Sequence, residues 1–513
     1  MSLKLPKPVL YALVIHAGLF VSVVTGVLPR SIVPFWTLAL VVWAAVVPPA
    51  VSVPFFATAI PLFIAIPLTT DFDNFNMWRI VALVIFLRWF LSTWSWRSLW
   101  DESKRYITAP LRSPMATALI TLGLLAVLSV FTASDRQAWA LRLIFFANAA
   151  LVPIVAYAVT KKDPILRRTT IIAIAWGTIT VVTVGFIQLI STYILDIYAF
   201  MRVWGEGIQL RQFGALWSQI AVHMGNTWFA YYGPQLSLRM FSLFPDSHSF
   251  PVFVILAMAS LFAVGFHPTM TLRTRGMLTV VWIPLAFLAV ILSGTRGIWA
   301  ASVGLPLVAL VVLWRMRRTR VPVERRQAWR YLSSWLSVFF LLFALAWPIF
   351  VSPQFLLSGG DRGLLIGRFK SIIDFGETSN RARLQIWSAT VASIARHPLL
   401  GVGLGNFPVV LGQDVILAKA GSSAHNIWLH VMAELGVIAI IPFTAVFVLA
   451  IRSAYRRFVR TDDGTEAWYA GWLLFAVPWI AAYLLTDAAL FDERALLMFG
   501  LSIALLTAMD DTP

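Results

Sequence analysis

The 513-residue chain contains no cysteine. That excludes a disulfide framework, a cysteine-based metal site and a thiol nucleophile, and it leaves redox chemistry silent about compartment. Charge is scarce as well: Asp, Glu, Lys and Arg make up 12% of the residues, against about a quarter in a soluble domain. Short segments of strict polar–apolar alternation, the mark of a membrane β-barrel, are missing. So are an internal repeat and a Pro/Gly/Ser-rich linker that would set a soluble domain apart. The first apolar run, in MSLKLPKPVLYALVIHAGLF, is not followed by a small-residue cleavage site, so it is expected to remain as a helix rather than leave as a signal peptide.

What the chain has is apolar length. Hydrophobic residues make up 59% of it, and runs of about 20 residues recur, each able to cross a hydrocarbon core as a helix. The expected fold is an all-α polytopic membrane protein. It has one membrane domain over residues 1–513, built as a bundle of about 14 transmembrane helices. The formal net charge of +17 would fit nucleic acid. However, no basic tract joins an aromatic RNA-type or helix-turn-helix pattern, so no nucleic-acid partner is expected. The cations instead gather in short loops such as KKDPILRR (161–168) and in residues 315–330, as cytoplasmic loops do. Counting spans between these loops puts both termini in the cytoplasm. It also puts one long loop, residues 352–426, on the outer side.

The segment 358–436, which contains most of that loop, is neither plainly transmembrane nor plainly cytoplasmic. Within 380–397, Leu384, Trp387, Val391 and Ile394 recur at helical spacing, and Asn380 and Pro398 bracket them. An amphipathic helix at the membrane surface is expected there, with Arg383 on its polar face. Next comes PLLGVGLGNFP. Its Gly401, Gly403 and Gly405 lack the strand–turn–helix setting of a nucleotide fingerprint and read as a tight turn between helices. Then SSAHNIWLHVMAELG sets His425 and Asn426 at the start of a membrane helix, with His430 and Glu434 on later turns. Ionisable groups there are costly and point to function. His430 and Glu434 can meet as an i, i+4 pair, but His425 and His430 are five apart and poorly aligned, so no metal site is expected. Upstream, Arg239 in SLRMFSLFPDSHSF and Arg296 in SGTRG fall on the outer side, where the positive-inside rule does not explain them. Such arginines can snorkel harmlessly, or they can face a cavity where guanidinium forks receive a phosphate or diphosphate.

At these residues the chain resembles the O-antigen ligase and O-antigen polymerase superfamily of bacterial envelope glycosyltransferases. The matching pieces are RLQIW (383–387), HPLLGVGLGNF (397–407), AHNIWL (424–429) and ELG (434–436), with SGTRG (293–297) and RMFSLFP (239–245) matching more loosely. The resemblance implies a glycan taken from an undecaprenyl-diphosphate carrier and joined to an acceptor hydroxyl at the outer face of the bacterial cytoplasmic membrane, without metal or other cofactor. The partners it implies are that lipid-linked donor, a glycan or lipid-linked acceptor, and the bilayer. It gives His425 the place of the catalytic histidine and Arg239 and Arg296 the places of the diphosphate-binding arginines, with Asn426, Glu434 and Arg383 in support. The chain departs from the family pattern in having more N-terminal spans and in reading FPDSHSF where a glycine- and asparagine-rich run is usual. Two readings from other classes compete. A flippase would show paired halves and polar groups at mid-membrane, and a scaffold subunit would not need Arg239, Arg296 and His425 to converge.

Overall fold

The computed structural model describes residues 4–69, 73, 75–93, 113–215, 217, 228–232, 235–267, 270–352, 354, 378–413 and 423–510. Of the expected outer loop, 353, 355–377 and 414–422 lie outside the described residues, as does the basic loop 94–112.

The described residues are mostly helical. In order the helices are α1 (Lys7–Val24), α2 (Val33–Val46), α3 (Pro49–Ala59), α4 (Trp78–Thr93), α5 (Pro114–Leu128), α6 (Arg136–Lys162), α7 (Pro164–Ser191) and α8 (Ser249–Gly265). They continue as α9 (Ile283–Leu292), α10 (Arg296–Ser302), α11 (Leu305–Arg318), α12 (Val323–Leu345), α13 (Thr378–Arg396), α14 (Ile427–Leu435), α15 (Ile440–Arg460), α16 (Gly464–Tyr483) and α17 (Glu493–Asp510). Two small antiparallel hairpins interrupt them: β1 (Ala65–Ile66) with β2 (Phe75–Asn76), and β3 (Phe229–Tyr232) with β4 (Gln235–Leu238). Among the described residues, eight helical segments are long and apolar enough to cross a membrane, fewer than the expected fourteen or so. Three shorter apolar helices, at Arg30–Val46, Pro49–Leu62 and Ser249–Gly265, accompany them. Helices α4, α16 and α17 fall in neither group.

Helix α8 is the axis of the bundle. Every one of its residues from Ser249 to Gly265 is buried, and α7, α9, α16 and α17 pack around it. A helix apolar on all sides can be covered by protein as readily as by lipid; here aromatic packing supplies the cover. Phe262 stacks on Trp472 at 4.5 Å between centroids, and Trp472 donates to the Ile255 carbonyl at 2.7 Å.

The two ends of the bundle are held differently. At one end, Glu466 accepts from Arg167 Nε and Arg457 Nε, both at 2.6 Å, and Asp463 takes Arg168. This ties together the ends of α7, α15 and α16, where the basic loops gather. Arg239, Arg296 and His425 lie at the opposite end.

The membrane helix expected to start at His425 and Asn426 is broken into two, α14 and α15. Gly436 breaks it at φ 86°, because the Leu399 backbone occupies the space a side chain there would need. Val437 then donates to the Pro398 carbonyl at 2.8 Å. Helix α13 also differs from expectation. It has begun by Thr378, so Asn380 lies inside its first turn rather than capping it. Its packed face is Ile386, Thr390, Ser393 and Ile394, whereas Leu384 and Val391 are exposed. Trp387 anchors the helix by donating to the Ala424 carbonyl at 2.8 Å.

Candidate active site

The site is built on four turns that meet at one end of the bundle. The first carries Arg239, at the end of β4. Leu238 N–H donates to Gln354 Oε1 and Arg239 N–H to the Trp228 carbonyl, both at 2.8 Å, so the strand end is fixed. The buried Arg239 side chain runs over Gly294, where it leaves little room for a Cβ. Its Nη2 lies 3.2 Å from Thr295 Oγ1 and 3.3 Å from His248 Nε2.

The second turn is PDSHS. Asp246 Oδ1 accepts from the backbone N–H groups of His248 and Ser249, each at 2.8 Å. This caps the N-terminal end of α8 and aims the His248 ring back at Arg239. The third turn is SGTRG. Gly294 takes φ 63°, and Thr295 precedes α10, whose first residue is Arg296. Thr295 donates to the Ser247 carbonyl at 2.7 Å, which locks this turn to the PDSHS turn. Gly297 sits against the Tyr483 ring and Thr486, so the half-buried Arg296 stands beside the α16–α17 turn.

That fourth turn carries Asp487. Its Oδ2 is 2.6 Å from His248 Nδ1, with Tyr483 Oη 3.3 Å from the same nitrogen. Burial works to raise the Asp487 pKa, but His248, His425 and Arg383 outweigh it, and the carboxyl is held well below its ordinary value. Asp487 is therefore an anion whose partner is the His248 Nδ1–H. His248 thus bridges Asp487 through Nδ1 and the Arg239 guanidinium through Nε2, in a chain running Asp487–His248–Arg239.

His425 enters from the other side. Ile427 N–H donates to the carbonyls of Leu484 at 2.9 Å and Asp487 at 3.2 Å, which docks the start of α14 onto the same turn. His425 itself sits at φ 46°, in the left-handed region, where non-glycine residues are uncommon. Burial lowers its pKa; Asp487 raises it, while Arg383, His248 and His430 lower it further, and the net displacement is downward. A neutral imidazole is the result near pH 7.

The expected site residues thus divide. Arg239, the Arg296 turn, His425 and Arg383 converge on the Asp487 turn. Asn426 is the N-cap of α14, accepting from Trp428 and Leu429 N–H at 3.0 and 3.1 Å. Glu434 faces away. Its Oε1 accepts from Phe407 N–H at 3.1 Å and lies 3.3 Å from His430 Nε2. It supports the glycine turn, whose Gly401, Gly403 and Gly405 all take positive φ and pack without spare room against α14 and the α5–α6 turn. Asn406 completes that link, accepting from Ser134 Oγ at 3.0 Å and Asp135 N–H at 2.8 Å. No cluster of three potential metal ligands occurs among the described residues.

Sequence reasoning missed His248, Thr295, Tyr483 and Asp487. The only available signal was that PDSHSF and TDAALFDER place ionisable residues in turns on the same expected side as Arg239.

No curated protein matches the chain. Residues 280–444 match the model of the O-antigen ligase family, and this stretch, about a third of the chain, holds Arg296, Arg383, His425, Asn426 and Glu434. That match supports the resemblance of this part of the chain to the O-antigen ligase and polymerase superfamily, and the two upstream turns close on the same place.

Proposed function

We propose that the protein is a membrane glycosyltransferase that takes a glycan from an undecaprenyl-diphosphate carrier and joins it to an acceptor hydroxyl, at the end of the bundle facing away from the cytoplasm. The observation that carries the reading is the meeting of a buried arginine, an anchored histidine–carboxylate pair and a second histidine of lowered pKa on one turn. The O-antigen ligase match supports the same class of activity.

The chemistry needs few groups. The acceptor oxygen attacks the anomeric carbon, and the bond from that carbon to the diphosphate oxygen breaks. The acceptor hydroxyl proton passes to a His425 ring nitrogen, which the lowered pKa keeps neutral and available. The electron pair of the broken bond leaves on the diphosphate, where Arg239 and Arg296 receive the charge through guanidinium donors. His248 and Asp487 keep Arg239 oriented. No covalent glycosyl-enzyme is required, so one displacement with inversion at the anomeric carbon follows, and no metal is assigned a role.

Among polymerase, ligase and protein O-glycosyltransferase, which share this donor, we read the chain as a polymerase, because its N-terminal half is expected to carry more spans than the ligase pattern. The test is to give the purified protein one lipid-linked oligosaccharide and no other acceptor. A ladder of lengthened products is expected. Release of carrier diphosphate only when a lipid A core or a protein acceptor is added would overturn the polymerase reading.

A further inference from the structure

Arg79 and Arg142 stand on two packed helices, α4 and α6, near the same end of the bundle as His425. Their guanidinium carbons lie 5.4 and 5.6 Å from the centroid of one shared ring, Phe145. Arg79 also lies over Phe75 and Trp78, and Arg142 over Phe146 and Phe491. Aromatic faces hold a guanidinium but do not neutralise it. Neither guanidinium has a hydrogen bond or ion pair with another described residue, and Arg79 Nε is buried without a partner among them.

The carboxylates of this region are engaged elsewhere. Glu434, which acts on Arg142 at longer range, is held by His430 and Phe407 N–H. Glu493 accepts from Asn76 and Trp78 and pairs with Arg494. Asp135 caps α6. Among the described residues, two like charges are therefore set around one phenyl ring with no dedicated counter-ion. Like charges repel more strongly in a sheltered site than in water, so the arrangement calls for an anion.

We propose that Arg79 and Arg142 form a second anion site, separate from Arg239 and Arg296, that binds the diphosphate of a lipid-linked acceptor. Paired guanidinium forks match phosphate oxygens. The helix surfaces beside the pair are apolar and exposed, with Leu83 and Leu87 on α4 and Leu141 and Ile144 on α6, so a polyprenyl tail can lie along them while its headgroup meets the arginines. His425 is acted on from both sides, by Asp487 and His248 on the Arg239 side and by His430 on the Arg142 side. Asp487, which acts on His425, is joined to Arg239 through His248. Toward Arg142 stands His430, whose Nδ1 accepts Ala424 N–H at 3.4 Å and whose ring lies 4.9 Å from Phe491. An acceptor anchored at Arg79 and Arg142 thus has its glycan beside the base while the donor diphosphate occupies the Arg239 side. The name of the acceptor rests on the function proposed above; the anion site rests on the arginine pair alone.

The test counts bound lipid by native mass spectrometry of the full chain in zwitterionic nanodiscs titrated with sugar-free undecaprenyl diphosphate. Wild type is expected to bind two, Arg79→Gln/Arg142→Gln one, and Arg239→Gln/Arg296→Gln one. In chain extension, Arg79→Gln/Arg142→Gln should raise the KM for a lipid-linked acceptor tenfold or more, with Arg79→Lys/Arg142→Lys between it and wild type. Melting temperatures within a few degrees of wild type serve as the folding control. One bound lipid in wild type, or two in Arg79→Gln/Arg142→Gln, overturns the site. Equal displacement from this pair by phosphatidylglycerol or by inorganic diphosphate overturns the lipid-linked acceptor as its ligand. Loss of one lipid in Arg79→Gln/Arg142→Gln, with none lost in Arg239→Gln/Arg296→Gln, upholds this site and sinks the donor assignment instead.

Discussion

Asp487→Asn separates a positioning role for the Asp487–His248–Arg239 chain from a merely structural one. The carboxylate lies 2.6 Å from His248 Nδ1, and its depressed pKa keeps it charged across the working range. An amide in its place keeps the shape but turns a charge-assisted hydrogen bond into a neutral one. Bonds to charged groups contribute about 1.5–3 kcal/mol and neutral ones about 0.5–1.5, so the variant loses about 1–2 kcal/mol of restraint on His248. If that restraint acts on Arg239 in the transition state, transfer slows about 5- to 30-fold. The assay is single-turnover transfer from a lipid-linked donor. Because the pair and Arg239 act in series, the double variant Asp487→Asn/Arg239→Gln should be little slower than Arg239→Gln alone. Wild-type turnover in Asp487→Asn, or full additivity in the double variant, would refute the series.

Other expectations follow from the same geometry. Arg383 lowers and Asp487 raises the His425 pKa; Arg383→Gln should therefore move the acid limb of the pH–rate profile to higher pH, and Asp487→Asn should move it lower. Asp492 is the reverse case: burial, with Asp246 and Glu493 adding to it against Arg494, lifts its pKa to about 7 from 3.8. A folded pKa above the unfolded one means stability is lost as pH rises through that window, so Asp492→Asn should raise the melting temperature at pH 8 and not at pH 4. Asn406→Ala frees the glycine turn from Ser134 and Asp135. It should destabilise the protein by about 1–3 kcal/mol, measured by thermal unfolding in detergent. Glu466→Gln leaves Arg167 and Arg457 without their anion. It should cost about 3–5 kcal/mol of stability while turnover per folded molecule stays unchanged.

Much of this was legible before any coordinates. Hydropathy locates the helices, because each apolar run must satisfy its own backbone in lipid. The basic residues of 161–168 meet acidic partners at one end of the bundle, Arg167 with Glu466 and Arg168 with Asp463. Arg239, Arg296 and His425 were visible because ionisable groups at a membrane boundary stand out against an apolar background. Two kinds of information were hidden. Hydropathy does not distinguish a helix covered by lipid from one covered by protein, so nothing marked α8 as the axis. Pairings across long sequence separation leave no local trace either. His248 reads as part of a helix cap and Asp487 as a polar turn, and only the packing of α8 against α16 joins them. The break at Gly436 has the same origin: it is imposed by the Leu399 backbone, which no local pattern reveals.

The central claim is that His425 takes the acceptor proton. Its most direct test compares wild type and His425→Ala, each purified and shown to be folded, in liposomes containing one lipid-linked oligosaccharide, with carrier diphosphate release and product length read together. The account predicts lengthened glycan and released carrier diphosphate from wild type, and neither from His425→Ala. Full product formation by His425→Ala would contradict it.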